Sequence, residues 1–590
     1  MREKDLTFLG DAGMLKASKS LIASFAGDIV SFSVESDAKE ICLRSENTAV
    51  CRLRRLGEGK YLVILVAEGN TRLIAEAGGE TAACTVTVRE AKRSDPDGKW
   101  KIFIGDTHAH TSYSDGLATP YEVFEKVKEE EFFDFFTVTD HTELLDDDEF
   151  FHTFVAADAY TDAGFTAFAG SESQVDLYHK NSIGLDQNDG GEIVIINKEG
   201  YSYSSDLDTF FADIGENPMG LAIVAHPHII GFTDTPVLWN AFDPIHQTDA
   251  RMKNLIHGVE IFNGKDDSNM LNEHAFFTFL DCGYKVCPVG SSDHHGPRWG
   301  KVAVPDRTFV YAEGGSKELM LDALIHARAY ACENGNVKMF YTCNGKNPAT
   351  TLPPSDTYEF LVHQEPFFVV KDEDETVYAE VISDHGEIVA SREVGKHMYD
   401  FDITVHSTTA RYFYLKLYSR IGEVTVSAPI FTGREYDVYP LPRFEKTAIN
   451  DSEFKVKAFS GGKNGFSVTN TDTSNYCLLN DANGELLMDM GRVRTIGAVG
   501  YFPNQPTRYD LATYASFVSH LEYYVSEDAV HFTRVAKDRV RLYGCEHITE
   551  FAPVRARYLK LRTLSTVGSE MRKEAFRTVG AAIGALRVYE

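Results

Sequence analysis

The chain has 590 residues, 43% hydrophobic and 25% charged, an ordinary globular mixture that excludes disorder, collagen-like sequence and a disulfide framework. At roughly 100–200 residues per domain, that length implies about three to five domains. Lys and Arg number 58 against 88 Asp and Glu, and the resulting charge of −30 would repel nucleic acid or an anionic membrane over most of the surface, so neither is expected as a partner. No apolar run approaches the ~18 residues of a membrane-spanning helix. No apolar segment follows the charges of Met1–Ser20, as a secretory signal would require. The nine cysteines are widely spaced, with no C-x-x-C pair. They read as free thiols of a reducing compartment, and a cytoplasmic protein is expected.

Residues 1–95 alternate in short strands, among them Ile29–Val34, Lys60–Val66 and Thr81–Val88, between Gly-rich or polar turns. That grammar predicts a small β-sandwich. Its end, A-x-x-G-G-x-T-A-A-C-T-V-T-V, resembles bacterial Ig-like repeats. Arg93–Lys99 reads as a linker. From Trp100 to about Asn336, within a unit taken as residues 100–340, apolar strands alternate with helical patterns, as in an α/β unit with a parallel sheet. Thr119 as N-cap, Pro120 at the first helical position and Glu122 three residues after the cap start one helix. Val123, Phe124 and Val127 form its apolar face. A second helix is predicted over Ser316–Ala331, with Leu319, Ala323, Leu324 and Ala327 inward. Residues 341–440 return to strands, including Phe360–Val362, Tyr412–Leu417 and Val424–Val426, and predict a second β-sandwich. After a break at Pro440–Pro442, residues 445–590 are all-β.

The α/β segment carries its chemistry at strand ends. Trp100–Ile104 leads into Asp106, His108 and His110, and Phe135–Thr139 into Asp140 and His141. Phe165–Ala169 leads into Glu172, and Leu221–Ala225 into His226 and His228. Gly258–Phe262 carries Glu260, and Tyr284–Val289 leads into Asp293, His294 and His295. One histidine after a strand is ordinarily a solvated loop residue. A succession of such strand ends is a different matter, because parallel strands with crossover helices open all their C-terminal ends on one face. H-x-H in extended backbone also sets both rings on one side. Imidazoles and carboxylates converging there predict a centre for several divalent ions, with Zn, Mn and Fe all compatible.

G-D-T-H-A-H-T-S-Y-S-D-G, T-V-T-D-H, G-S-E-S, V-A-H-P-H and G-S-S-D-H-H-G occur in this order. Together they resemble the polymerase and histidinol phosphatase (PHP) metallohydrolase superfamily and, within it, the carbaryl-hydrolase-like branch. The resemblance implies a distorted (β/α)7 barrel with two to three divalent ions. It implies that His108 and His110 take a first ion, with Glu172 bridging and Asp293 opposite. It assigns His141, Glu172 and His179 to a second ion, and Asp115, His226 and His295 to a third. Asp140 is expected to support His141 rather than bind. His228 and His294 are expected near substrate, and Arg298 and Lys301, in G-P-R-W-G-K, against an anionic group. Further on, L-L-M-D-M-G-R-V-R-T-I-G-A-V-G-Y-F-P-N-Q, Y-Y-V-S-E-D-A-V-H-F-T-R-V, V-R-A-R-Y-L-K-L-R and A-A-I-G-A-L-R-V-Y resemble a discoidin-type (coagulation-factor C-terminal) jelly roll over residues 445–590. Such modules often bind sugars, which implies a carbohydrate partner there, although Gly584-Ala585 replaces the usual acidic residue before L-R-V-Y.

The favoured function is a metal-dependent hydrolase acting on a small phosphorylated substrate, with Asp293, His228 and Arg298 as catalytic groups beside the metal ligands. One alternative is ester, amide or carbamate cleavage on the same metal site, with Glu260 or His228 protonating the leaving group. Another is a non-catalytic glycan-binding or adhesion protein. The amidohydrolase superfamily also has H-x-H after its first strand, but its last strand gives a lone Asp where this chain has Asp293-x-His295. No ligand motif falls outside residues 100–340, so removing residues 445–590 is expected to leave turnover of a small substrate intact.

Overall fold

The structure is a computed structural model of the chain. It describes residues 15–25, 29–38, 41–57, 59–67, 69–89, 99–175, 191–196, 220–227, 244, 250–264, 269–300, 306–333, 337–366, 368–369, 375–395, 398–436, 446–449, 453–461, 468, 476–503, 515–542, 546–571 and 580–590. The N-terminal unit is two antiparallel-rich sheets. Leu15–Ala17, Ile29–Ser36, Lys60–Leu65 and Cys51–Gly57 form one, and Leu21–Phe25, Glu80–Arg89, Gly69–Ala77 and Cys42–Ser45 the other. Val63 and Leu65 from the first sheet and Leu73 and Val86 from the second meet in one buried core. This is the sandwich that period-2 alternation predicts.

The next unit is built on a mixed sheet. Its order is Cys287–Ser291, Ile256–Asn263, Leu221–Val224, Gly191–Ile196, Thr166–Val175, Phe135–Val138, Lys101–Asp106, Arg307–Ala312, Ala329–Cys332. Lys101–Asp106, Phe135–Val138 and Thr166–Val175 run parallel, as do Leu221–Val224, Ile256–Asn263 and Cys287–Ser291. Gly191–Ile196 is antiparallel to both neighbours, and Arg307–Ala312 to Lys101–Asp106. The parallel sheet expected from the sequence is thus corrected to two parallel triplets joined through an antiparallel strand. Side chains and loops draw the first and last parallel strands together. Thr308 Oγ1 donates to Gly290 O at 2.7 Å and accepts from Gly290 N at 3.1 Å. Asp293 N donates to His108 O at 2.9 Å, and His110 N to His294 O at 3.1 Å. Glycine is needed at 290, since a Cβ there would lie 2.6 Å from Arg307 O.

Helix Pro120–Glu129 starts on Thr119 with a complete capping box and buries Val123, Phe124 and Val127, as the spacing predicts. The second predicted helix is shorter, Lys317–Ile325. Ala327 turns left-handed at φ 57°, and Arg328 N bonds back to Ala323 O at 2.8 Å, which closes a Schellman-type end. Ala329–Cys332 is therefore a strand, and Leu319, expected inward, is exposed.

Val424–Val426 pairs with Ala329–Cys332 and carries the same sheet on through Tyr412–Ser419, Thr376–Ser383 and Glu387–Glu393. Val337–Cys343, Thr357–Pro366 and Asp400–His406 form a further sheet. One hydrophobic cluster runs from Ile104 and Phe136 to Val362 and Phe413, so the α/β unit and the second β unit share sheet and core. The C-terminal unit is antiparallel: Lys455–Phe459, Glu485–Phe502, His547–Thr566, Val518–Ser526 and Thr533–Arg539, with Ala585–Tyr589 also on Glu485–Phe502. Its core takes in Leu271 from helix Asn269–Asp281 of the α/β unit. Among the described residues no helix is long and apolar enough to cross a membrane. Burial pushes the Cys287 and Cys343 thiols up to about 12.

Candidate metal centre

The sheet brings His108, His110, Glu172, His226 and Asp293 together at the C-terminal ends of four strands. His108 and His110 sit at the same side of their extended segment, with Nε2 atoms 3.0 Å apart. Glu172 Oε2 lies 3.3 Å from each of those nitrogens. Asp293 Oδ1 lies 3.4 Å from His108 Nε2 and 3.0 Å from His110 Nε2. Glu172 also reaches His141 Nδ1 through Oε2 at 3.1 Å and His226 Nε2 through Oε1 at 2.7 Å. Toward solvent, Asp115 Oδ1 lies 3.1 Å from His295 Nε2 and 3.9 Å from His141 Nε2. The His295 ring stacks on His110, with centroids 4.2 Å apart.

Three sets of ligand atoms are close enough to share an ion: His108, His110 and Glu172; His108, His226 and Asp293; and His110, Asp115, His141 and His295. The middle set corrects the expected grouping, because His226 sits with His108 and Asp293 rather than with Asp115 and His295. Depth separates them: His226 is buried with His108, whereas Asp115 and His295 lie on loops open to solvent.

Buried carboxylates hold this arrangement in place. Glu260 is fully buried; its Oε1 is 2.8 Å from His108 Nδ1, and its Oε2 accepts from His226 N at 2.8 Å and Asn263 Nδ2 at 3.0 Å. Ser291 Oγ donates to Glu260 Oε1 as well. Asp140 accepts from Thr111 N and Thr111 Oγ1, both at 2.6 Å, and from Ser114 Oγ at 2.5 Å. Asp106 accepts from Ser292 N at 3.0 Å and His108 N at 3.2 Å, and burial raises its carboxyl to about 6.

Burial opposes charge on Glu172, but the His108, His110 and His226 imidazoles outweigh it and hold the carboxyl well below its usual range. Asp293 is drawn down in the same way, against burial, by His108 and His110. Conversely, burial works against a proton on His108, yet Glu172, Asp293 and Glu260 push that imidazole well above its usual value. Against the same opposition from burial, Asp293 and Glu172 raise His110 to about 9.

The residues fit a divalent ion. His141 Nδ1 and Asp293 Oδ1 are buried with no aligned hydrogen-bond partner among the described residues. The 3.0–3.4 Å separations of His108 Nε2 and His110 Nε2 from each other, from Glu172 Oε2 and from Asp293 Oδ1 are those of neighbouring ligands about 2.1 Å from a cation. Imidazole and carboxylate donors suit Zn, Mn or Fe.

Of the other expected residues, His179, His228 and Lys301 lie outside the described residues. Arg298 is exposed and forms no ion pair with the described ligands; its backbone N donates to His294 Nε2 at 3.3 Å. Glu260 faces four hydrogen-bonding groups, and although burial alone would raise its carboxyl, His108 and His226 hold it below the usual range. The bonds of Glu260 and of Asp106 were not readable from the sequence, although both residues stand in strand-end segments that drew attention.

No protein-family model matches the chain, and no curated protein matches it. Solved structures do. A family 32 carbohydrate-binding module of a Clostridium perfringens family 89 glycoside hydrolase, in complex with GalNAc-β-1,3-galactose, is 15% identical, with 24% of this chain and 100% of that chain covered, at a TM-score of 0.21. The family 32 module of C. perfringens NanJ, in complex with galactose, is 17% identical, covering 25% of this chain and 100% of its own, at a TM-score of 0.21. A C. perfringens family 89 glycoside hydrolase, in complex with 2-acetamido-1,2-dideoxynojirmycin, is 17% identical over 24% of this chain and 14% of that chain, at a TM-score of 0.19. These neighbours are discoidin-like carbohydrate-binding modules and a glycoside hydrolase, and each likeness spans about a quarter of this chain.

Proposed function

We propose that the chain is a metal-dependent hydrolase of the PHP type, with its reaction centre at the cluster around Glu172. The observation that carries this reading is the convergence of Glu172 and Asp293 on His108 and His110, from three strand ends, with the two Nε2 atoms 3.0 Å apart and each carboxylate 3.0–3.4 Å from both. Bound divalent ions would make water nucleophilic at neutral pH and neutralise charge developing on the substrate. The protein's part is orientation. Glu260 takes the His108 Nδ1–H, which fixes the tautomer and leaves the Nε2 lone pair facing the cluster. Glu172 faces four imidazoles and serves the inner and outer groups at once.

Among substrates, a small phosphoester is favoured, because three overlapping ligand groups suit a phosphoryl unit with several non-bridging oxygens. The exposed Arg298 adds nothing to this choice. Carbamate, amide or ester cleavage at the same centre is the competing chemistry. A substrate panel on protein reconstituted with Mn or Zn separates the two. Phosphate release that His110→Ala abolishes supports the phosphoesterase; an inert phosphoester panel with cleaved aryl carbamates or amides rejects it and leaves the metal centre standing. No turnover at all, with fewer than one ion bound per chain, rejects the hydrolase.

Glycan binding is the reading that the neighbours' names speak to, and only for the quarter of the chain they cover. It is compatible with a hydrolase elsewhere in the chain. A glycan array probed with the full-length protein tests it directly. A cytoplasmic setting is part of the proposal and rests on the odd number and wide spacing of the nine cysteines.

A further inference from the structure

Two carboxylates that belong to none of the ligand groups divide the centre between them. Glu260 touches every member of the inner group, His108, His226 and Asp293, or a residue within two positions of it. It contacts the His108 ring, the His226 backbone N–H and the Ser291 hydroxyl, two residues before Asp293. Two of these backbone positions are ones the chain would not adopt unaided: His226 has φ 21° and Asp293 φ 46°. Glu260 thus holds one ligand by its side chain, a second by its backbone and the approach to a third.

Asp140 does the corresponding work at the mouth. It is 1% exposed and gathers Thr111 N, Thr111 Oγ1 and Ser114 Oγ. Thr111 Oγ1 in turn accepts from Tyr113 N at 3.2 Å, and Ser114 Oγ lies 3.3 Å from His110 Nδ1 and 3.4 Å from Asp115 Oδ1. These bonds fold the loop 111–115 so that Asp115 meets His141 and His295. No described contact of Glu260 falls on that loop, and none of Asp140 falls on His226 or Ser291.

We infer that Glu260 and Asp140 are positioning residues with separate charges: Glu260 pre-organises the inner ion site and Asp140 the outer one, so the two sites are tuned independently. The inference rests on the metal-centre reading above. Four donors converge on the two Glu260 oxygens, and an amide there would turn N–H groups toward either His108 and Ser291 or His226 and Asn263.

The test is Mn2+ titration of metal-stripped full-length protein, followed by the loss of the free Mn2+ electron paramagnetic signal. Wild type is expected to show two classes of site. Glu260→Gln should weaken one class about ten- to hundredfold and leave the other within about threefold, and Asp140→Ala should do the reverse. In an Asp115→Asn background, which already lacks the outer ion, Glu260→Gln should remove the remaining tight binding and Asp140→Ala should add nothing. Ser291→Ala and Ser114→Ala, which each delete one donor, give smaller shifts in the same two directions and stand in if either carboxylate variant fails to fold. If both carboxylate variants weaken one and the same class, or neither weakens any, the division is wrong while the metal centre stands. If wild type binds fewer than one Mn2+ per chain, the metal-centre reading falls and takes the division with it.

Discussion

Leu271 belongs by sequence to the α/β unit and by packing to the C-terminal unit. It lies in helix Asn269–Asp281, is fully buried, and shares a core with Phe454, Leu486, Leu521 and Leu542. Around it, Leu542 N donates to His274 Nδ1 at 3.3 Å, and the Arg539 guanidinium lies 5.5 Å from the Phe277 ring. Leu271→Ala removes about three methylene equivalents at ~0.8 kcal/mol each, or ~2.4 kcal/mol of transfer free energy. A residual cavity of ~50 Å3 at ~24 cal/mol per Å3 adds ~1.2 kcal/mol. The expected loss is therefore about 3.5 kcal/mol, and it should fall on both units. Urea unfolding followed by tryptophan fluorescence reports the α/β unit, because Trp100, Trp239 and Trp299 are the chain's three tryptophans. Hydrogen exchange in Val518–Ser526 reports the C-terminal unit. Both should shift together. A loss under ~1 kcal/mol, or unchanged exchange in Val518–Ser526, would refute the shared core. By the same packing, removing residues 445–590 would expose Leu271 and Phe277.

Glu172→Gln should lower Mn2+ or Zn2+ content by more than one equivalent per chain, read by elemental analysis, because one carboxylate faces four imidazoles; loss of a single equivalent would show that it serves one ion. Asp115→Asn should cost mainly the outer ion and leave the inner one within about threefold in a competition titration, the usual scale for a change outside a ligand set being larger only when the ligands themselves move. His520 links the C-terminal unit to Glu387 at 3.2 Å and is also faced by Glu570, Ser565 and Arg539. Burial works against its proton, but Glu387 and Glu570 raise its imidazole to about 9. A raised folded value gives stability that is fully present below the unfolded value of about 6.5 and is lost as pH climbs through about 9. Thermal midpoints measured across that window should fall, and His520→Gln should flatten the decline.

What was legible in the sequence was local. Thr119, Pro120 and Glu122 announce a helix start because a capping box is satisfied within one turn. His108, His110, His141, Glu172, His226, Asp293 and His295 announce a cluster because strand ends of one sheet share a face. What was not legible depends on register and on residues far apart in sequence. The antiparallel insertion of Gly191–Ile196 leaves no mark on its apolar run of four residues, 193–196, since parallel and antiparallel pairing ask for the same side chains there. The grouping of His226 with His108 rather than Asp115 depends on how deep each side chain lies, which spacing does not encode. The Ala329–Cys332 strand was hidden because Ala-rich sequence fits helix and buried strand alike, and only the left-handed Ala327 separates them. Leu271 reads as one more apolar position on a helix, and no periodicity says which core it enters.

Two of the places where local backbone preference is overridden lie at the centre. A histidine and an aspartate with positive φ, His226 and Asp293, cost on the order of 1–3 kcal/mol each, which glycine at either position would spare. Their strain is held by fixed bonds: His226 N to Glu260 Oε2, and Asp293 N to His108 O. Both bonds lead back to His108, whose ring Glu260 also holds. A fold that needed these segments only as connections would relax them toward solvent, where backbone and carboxylates hydrate at no cost. Here they are turned inward, onto buried imidazoles, and the Asp293 carboxyl is held below its usual range by those rings. Such a conflict between local preference and global packing is the kind expected at a functional site.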